Sequence, residues 1–118
     1  MGALSALYIL FARRPDVELR LWGGVYDSLC DLSFLHRIGN VRRFSADCLM
    51  RAEGIEHLKS LGNLETLSIG IYELESFDFL ELIPTGIKEL FLGVTKSKKP
   101  QVDVLSRFHS LRKLYLEA

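Results

Sequence analysis

The sequence predicts an α/β solenoid, with a parallel sheet on its concave face and short helical or 3₁₀ segments on its convex face. Three observations predict it. One apolar spacing occurs four times, as Val41-x-x-Phe44-x-Ala46, Leu64-x-x-Leu67-x-Ile69, Ile87-x-x-Leu90-x-Leu92 and Leu111-x-x-Leu114-x-Leu116, with starts 23, 23 and 24 residues apart. A period in that range belongs to stacked units, none of which buries its apolar face alone. Upstream of the copies apolar residues recur at every third position, as in Leu32, Leu35 and Ile38, in Ile55, Leu58 and Leu61, in Phe77, Leu80 and Ile83, and in Val102, Leu105 and Phe108. Inside each copy the spacing switches to two, the side-chain period of a strand.

The elements follow in order. The apolar stretch 3–12 has no basic residue before it, is followed by Arg13-Arg14 and lacks a small-x-small site, so it does not read as a secretory signal. It is too short to cross a bilayer. Its Leu4, Leu7 and Leu10 fit the outer segment of a worn first unit, in which Leu7, Leu10, Leu19 and Leu21 overlay Leu32, Leu35, Phe44 and Ala46 at a constant offset of 25, with Arg13 and Asp16 breaking the middle. Gly23-Gly24 reads as a turn. In the full units the three-residue spacing suits a short helix or 3₁₀ segment with one apolar stripe turned inward. Gly39-Asn40, Gly62-Asn63 and Thr85-Gly86 then turn the chain into a strand, since glycine and asparagine tolerate positive φ. Before the third copy Pro84-Thr85-Gly86 lengthens this approach by one residue. The strands themselves alternate, as in Leu67, Ser68, Ile69 and Gly70.

This spacing resembles that of leucine-rich repeats, in the short-repeat class with units of about 23 residues. The resemblance spans nearly the whole chain and implies a single domain, residues 1–118, of about five repeats with the first degenerate. One departure stands out. The family's asparagine, three residues after the last apolar strand position, is replaced here by Leu49, Tyr72 and Thr95. Without that ladder the turns after the strands are expected to be less uniform than in the family.

Composition narrows the function. A chain of 118 residues that is 48% hydrophobic and 25% charged holds one folded core and is not disordered. Fifteen basic residues balance fifteen acidic ones, so no global field favours nucleic acid or an anionic membrane. Cys30 and Cys48 have neither metal-site spacing nor a disulfide framework and read as buried free thiols of a cytoplasmic protein. His36, His57 and His109 fall out of register in the outer segments, so no triad or metal site is expected from them. Glu73, Glu75, Asp78 and Glu81 read as a solvated face rather than a general acid and base pair, and Lys96-Ser97-Lys98-Lys99-Pro100 as an exposed loop. No phosphate-binding, nucleotide-binding, serine-hydrolase or zinc-protease motif occurs. The reading is therefore non-enzymatic, with no catalytic, cofactor-binding or metal-binding residues and no cofactor.

What remains is the open face of the sheet. Alternation across stacked strands predicts three columns: Arg20, Ser45, Ser68, Phe91 and Tyr115; Trp22, Asp47, Gly70, Gly93 and Glu117; and Glu18, Arg43, Thr66, Glu89 and Lys113. Phe91 and Tyr115 fall side by side, and Gly70 and Gly93 are expected to leave a shallow groove beside that ridge. Exposed aromatics ringed by charge fit a protein-binding surface, with the alternative that the pair simply stabilises the sheet. Arg43, Phe91, Lys113, Tyr115 and Trp22 are the candidate partner-binding residues for a protein ligand, with neither nucleic acid nor membrane as the expected partner. A second functional class is a substrate-recruiting or regulatory repeat fragment of a larger enzyme. The last unit stops on its strand, which would be covered by further repeats or by a homodimer through this C-terminal edge, or would fray.

Overall fold

The computed structural model describes residues 3–22, 29–97 and 101–117; Gly23-Gly24 and Lys98-Lys99-Pro100 lie outside the described residues. The architecture is α/β. Among the described residues one α-helix, α1 (Ala3–Arg13), precedes seven strands: β1 (Leu19–Trp22), β2 (Leu29–Asp31), β3 (Arg43–Leu49), β4 (Arg51–Glu53), β5 (Thr66–Ile71), β6 (Glu89–Leu92) and β7 (Lys113–Leu116). Four 3₁₀ helices separate them: η1 (Ser33–Arg37), η2 (Ile55–Ser60), η3 (Asp78–Leu82) and η4 (Asp103–Arg107). The main sheet is parallel throughout, in the order β1-β3-β5-β6-β7. Each main strand thus lies beside the next main strand of the sequence.

The three-residue apolar spacing is also the hydrogen-bond spacing. Leu35 N–H donates to Leu32 C=O, Ile38 to Leu35 and Val41 to Ile38, and Phe108 donates to Leu105 and Leu111 to Phe108 in the same way. A 3₁₀ turn has three residues, so side chains at i and i+3 eclipse and a single stripe faces inward. Leu61 and Leu64 continue the pattern after η2. After η3 it stops at Ile83, whose ψ is 143° where the corresponding Ile38, Leu61 and Phe108 have 45°, 68° and 80°. Ile83 precedes Pro84, and the proline ring pushes the preceding residue into extended backbone.

The turns into the strands close without left-handed glycine. Gly54, at the start of η2, is the one glycine with positive φ (75°) among the described residues. Gly39, Gly62 and Gly86 therefore do not serve the conformational purpose expected of them. Gly39 is needed for room, because a Cβ there would lie 2.9 Å from the Ser60 carbonyl oxygen, whereas nothing lies within 4 Å at Gly62 or Gly86.

The outer segment at the N-terminus differs from the others. It is a true α-helix, and at 3.6 residues per turn a three-residue stripe drifts off the inner face. Leu7, Tyr8 and Phe11 accordingly pack on the core while Leu4 and Leu10 are exposed. Pro15 ends the helix, and beyond it the exposed Arg14–Asp16 pair, bonded at 2.7 and 2.9 Å, holds the Asp16 carboxyl at about 2. The two-stranded parallel sheet β2–β4 is an element that the apolar spacing does not announce. Its half-buried Cys30 and Ala52 are small enough to let these short strands lie on the core, and Asp31 accepts the Ser33 N–H at 2.9 Å to begin η1.

The core lies between the sheet and the 3₁₀ helices. Leu32, Leu35, Ile38, Val41, Phe44 and Ala46 in the segment ending with β3 are buried, and so are Leu58, Leu61, Leu64, Leu67 and Ile69 in the segment ending with β5 and Phe77, Leu80, Ile83, Ile87, Leu90 and Leu92 in the segment ending with β6. Each such side chain contributes about 1.5–3 kcal/mol on full burial.

β3 carries one extra residue relative to both neighbours. Between Arg20 and Trp22 of β1 it advances from Ser45 to Cys48, and between Ile69 and Ile71 of β5 it advances from Ala46 to Leu49. Two residues against three on each side mark a single β-bulge at 46–49. The bulge turns Leu49, paired with Ile71 of β5, into the core, and presses the Asp47 backbone on β5. A Cβ at Gly70 would stand 2.5 Å from the Asp47 carbonyl oxygen. Gly70→Ala is therefore expected to destabilise the fold by about 1–3 kcal/mol, while Gly62→Ala stabilises it by about 0.4–1 kcal/mol through the unfolded chain. Urea midpoints at unchanged m-value measure both, and equal midpoints would contradict the close approach.

Candidate protein-binding surface

Strand alternation places Thr66, Ser68, Glu89, Phe91, Lys113 and Tyr115 on one face of β5, β6 and β7, opposite the buried Leu67, Ile69, Leu90 and Leu92. The ladder pairs Ser68 with Phe91 and Phe91 with Tyr115, and Thr66 with Glu89 and Glu89 with Lys113. The column from Arg20 to Tyr115 therefore exists in register, and the one expected to begin at Glu18 does so from Arg43 to Lys113. The third is broken at its start, because the β3 bulge sets Trp22 opposite Cys48 instead of Asp47.

The Phe91 and Tyr115 rings lie 6.4 Å apart at 53°, within the range of favourable edge-tilted aromatic pairs. Tyr115 is 55% exposed and Phe91 is half-buried against it. The Lys113 ammonium rests 5.2 Å from the Tyr115 ring centroid, a cation–π contact. Below this cluster opens a depression of about 90 Å³, lined by Thr66, Ser68, Glu89, Phe91, Lys113 and Tyr115. It has room for one aliphatic side chain.

The groove expected along Gly70 and Gly93 is not there. The Asp47 backbone occupies the space above Gly70, and Glu117 extends over Gly93, accepting the Val94 N–H at 3.1 Å. The depression lies on the other flank of the aromatic pair. Small side chains at Thr66 and Ser68 open it, opposite the larger Glu89 and Phe91 of β6.

Not all candidate residues converge. Phe91, Lys113 and Tyr115 form one cluster. Arg43 shares a ladder row with Lys113 but lies three strands away, about 14 Å at the usual strand spacing, and reaches the Asp16 carbonyl at 3.4 Å. Trp22, 66% exposed, is on β1 at the opposite edge of the sheet. Between these lies an ion pair that sequence reasoning missed, Arg20 to Asp47 at 2.9 Å, because the bulge that presents Asp47 to Arg20 has no composition signal.

Elsewhere the chemistry is sparse. His36 and His57, expected to be apart, have ring centroids 5.8 Å apart, since η1 packs against η2. His36 Nδ1 bonds the Ser33 carbonyl, and among the described residues no group of three His, Cys, Asp or Glu side chains could hold a metal ion. Glu73 and Glu75 pair with Arg51 and Lys96 at 3.9 and 3.8 Å, and Asp78 and Glu81 line an open hollow beside Asp103 and Arg107. Among the described residues no helix is long and apolar enough to cross a membrane.

Both cysteines are free, but Cys48 is exposed on the bulge rather than buried, and Cys30 is half-buried. Burial, and then the charge of Asp31, raises the Cys30 thiol above its ordinary value. A raised value means less thiolate at neutral pH, so iodoacetamide should modify Cys48 first and Cys30 only as the pH climbs through the alkaline range. Peptide mapping after timed alkylation measures this, and equal rates at pH 7 would refute the burial of Cys30.

Comparison with known protein families, with curated proteins and with solved structures finds no match for this chain.

Proposed function

We propose that this chain is a leucine-rich-repeat solenoid that acts as a non-enzymatic interaction module, holding a protein partner against the concave, open face of its sheet. The repeat reading is supported by the ladder, in which Arg43, Thr66, Glu89 and Lys113 occupy one row at the same spacing as the apolar motif. It is supported also by the 3₁₀ segment that precedes each of the strands β3, β5, β6 and β7.

The observation that carries the binding reading is the solvent-facing Phe91–Tyr115 pair beside a small apolar depression on a rigid sheet. Interfaces concentrate their energy in a few aromatic and cationic anchors seated next to pockets, surrounded by polar residues that exclude water. Phe91 and Tyr115 supply the apolar anchors, and Lys113 and Glu89 supply one charge of each sign at the rim. Arg43 and Trp22 extend the same surface towards β1. The two free thiols are consistent with a cytoplasmic setting, which belongs to the proposal.

The test is affinity capture with the purified chain, followed by titration of the captured protein against wild type and against Phe91→Ala/Tyr115→Ala. Loss of the two rings is expected to weaken binding about 30-fold or more, with the thermal transition kept within a few degrees because neither side chain is part of the buried core. Unchanged affinity in a folded double mutant would remove this face as the binding surface.

A further inference from the structure

We propose that the free edge of β7 pairs antiparallel with β7 of a second copy of this chain, about a two-fold axis at Tyr115. The inference is independent of the partner-binding reading. β7 is an outer strand of the sheet. Where β6 buries Leu90 and Leu92 to 2% and 1%, its ladder partners Leu114 and Leu116 stay 39% and 50% exposed. The edge therefore presents open backbone groups together with two apolar side chains. Only an element that brings both hydrogen bonds and apolar residues to the same face covers it.

Three features select a second β7 in one register. The first is hydrogen-bond phase. Lys113 and Glu117 donate their N–H groups inward, to Lys88 and Leu92, so the alternation of the strand turns the N–H and C=O of Leu114 and Leu116 to the free edge. In an antiparallel pair centred on Tyr115, Leu114 faces Leu116 of the second copy, and each such pair exchanges two hydrogen bonds.

The second feature is facial match. Directly opposed residues share a face, so the leucines of both copies meet on the core side and the two Tyr115 rings meet on the open side. A slip of one residue would set Leu114 against Tyr115 and turn core face to open face.

Charge is the third. The same register places Lys113 opposite Glu117 of the second copy, twice by symmetry, and Glu117 is already held on the open face through the Val94 N–H. Centring on Leu114 would instead oppose Leu116 and Arg112, and centring on Leu116 would oppose Glu117 and Tyr115. The pairing is isologous, joins the two sheets edge to edge and sets the two Lys113–Tyr115 clusters side by side.

Sedimentation of the 118-residue chain over a concentration series is expected to show 13.4 kDa rising towards twice that mass. Lys113→Glu creates two like-charge oppositions and is expected to weaken association about tenfold, as does Glu117→Lys. The Lys113→Glu/Glu117→Lys double variant restores it, which a merely misfolded single variant would not allow. Tyr115→Cys in a Cys48→Ser background, oxidised with copper–phenanthroline and dissolved oxygen as the electron acceptor, should form an intermolecular disulfide, since non-hydrogen-bonded pairs approach to about 4.5 Å between Cα atoms. A monomer at every concentration overturns the proposal. So does a dimer indifferent to Lys113→Glu, or one whose Tyr115→Cys variant dimerises without cross-linking.

Discussion

Every main strand of this chain depends on the apolar row of its neighbour. Leu67 and Ile69 are buried because Phe44 and Ala46 lie on one side of them in the ladder and Leu90 and Leu92 on the other. A single strand with its 3₁₀ segment has no second layer of its own, and its hydrogen bonds along the strand point sideways to other strands. Stability therefore comes from adjacency, and it falls at a sheet edge. The gradient is visible in Leu90 and Leu114, which hold the same repeat position but only one of which is covered on both sides.

Adjacency also explains how an irregularity spreads. The extra residue in β3 moves the Asp47 backbone against β5, and the chain accommodates it with a glycine at position 70. The Cα of Gly70 in turn stands 3.0 Å from where a Cβ of Gly93 would be, so the next strand carries a glycine in the same column. One insertion thus dictates side-chain size two strands away. The consequence for the open face is that its relief is set by backbone: the column expected to be a groove is closed, and the free depression lies across the aromatic pair, over Thr66 and Ser68.

The open face carries little net charge, since Arg20 is answered by Asp47 and Lys113 stands in the ladder beside Glu89. Such a surface discriminates by shape and by a few placed groups more than by long-range attraction. The chemistry around it is equally restrained. Of the acidic residues after β5, Glu73 and Glu75 lie beside Arg51 and Lys96, and the His36–His57 contact lies on the outer segments away from the sheet.

The sequence by itself determined the positions and parallel order of the five main strands, the buried rows leading into β3, β5 and β6 and the Phe91–Tyr115 neighbourhood, but not the β2–β4 pair. These follow from periodicity: three residues per 3₁₀ turn and two per strand are local geometric facts, and a constant repeat length converts them into register. Tertiary structure alone decided the β3 bulge, the opposition of Trp22 and Cys48, the exposure of Cys48, the approach of His36 to His57 and the closing of the glycine column. The first three and the last follow from the one extra residue of β3, and the histidine contact from the packing of η1 against η2. A repeating pattern averages over such local departures, whereas packed backbones, held at fixed strand spacing, must resolve every one of them.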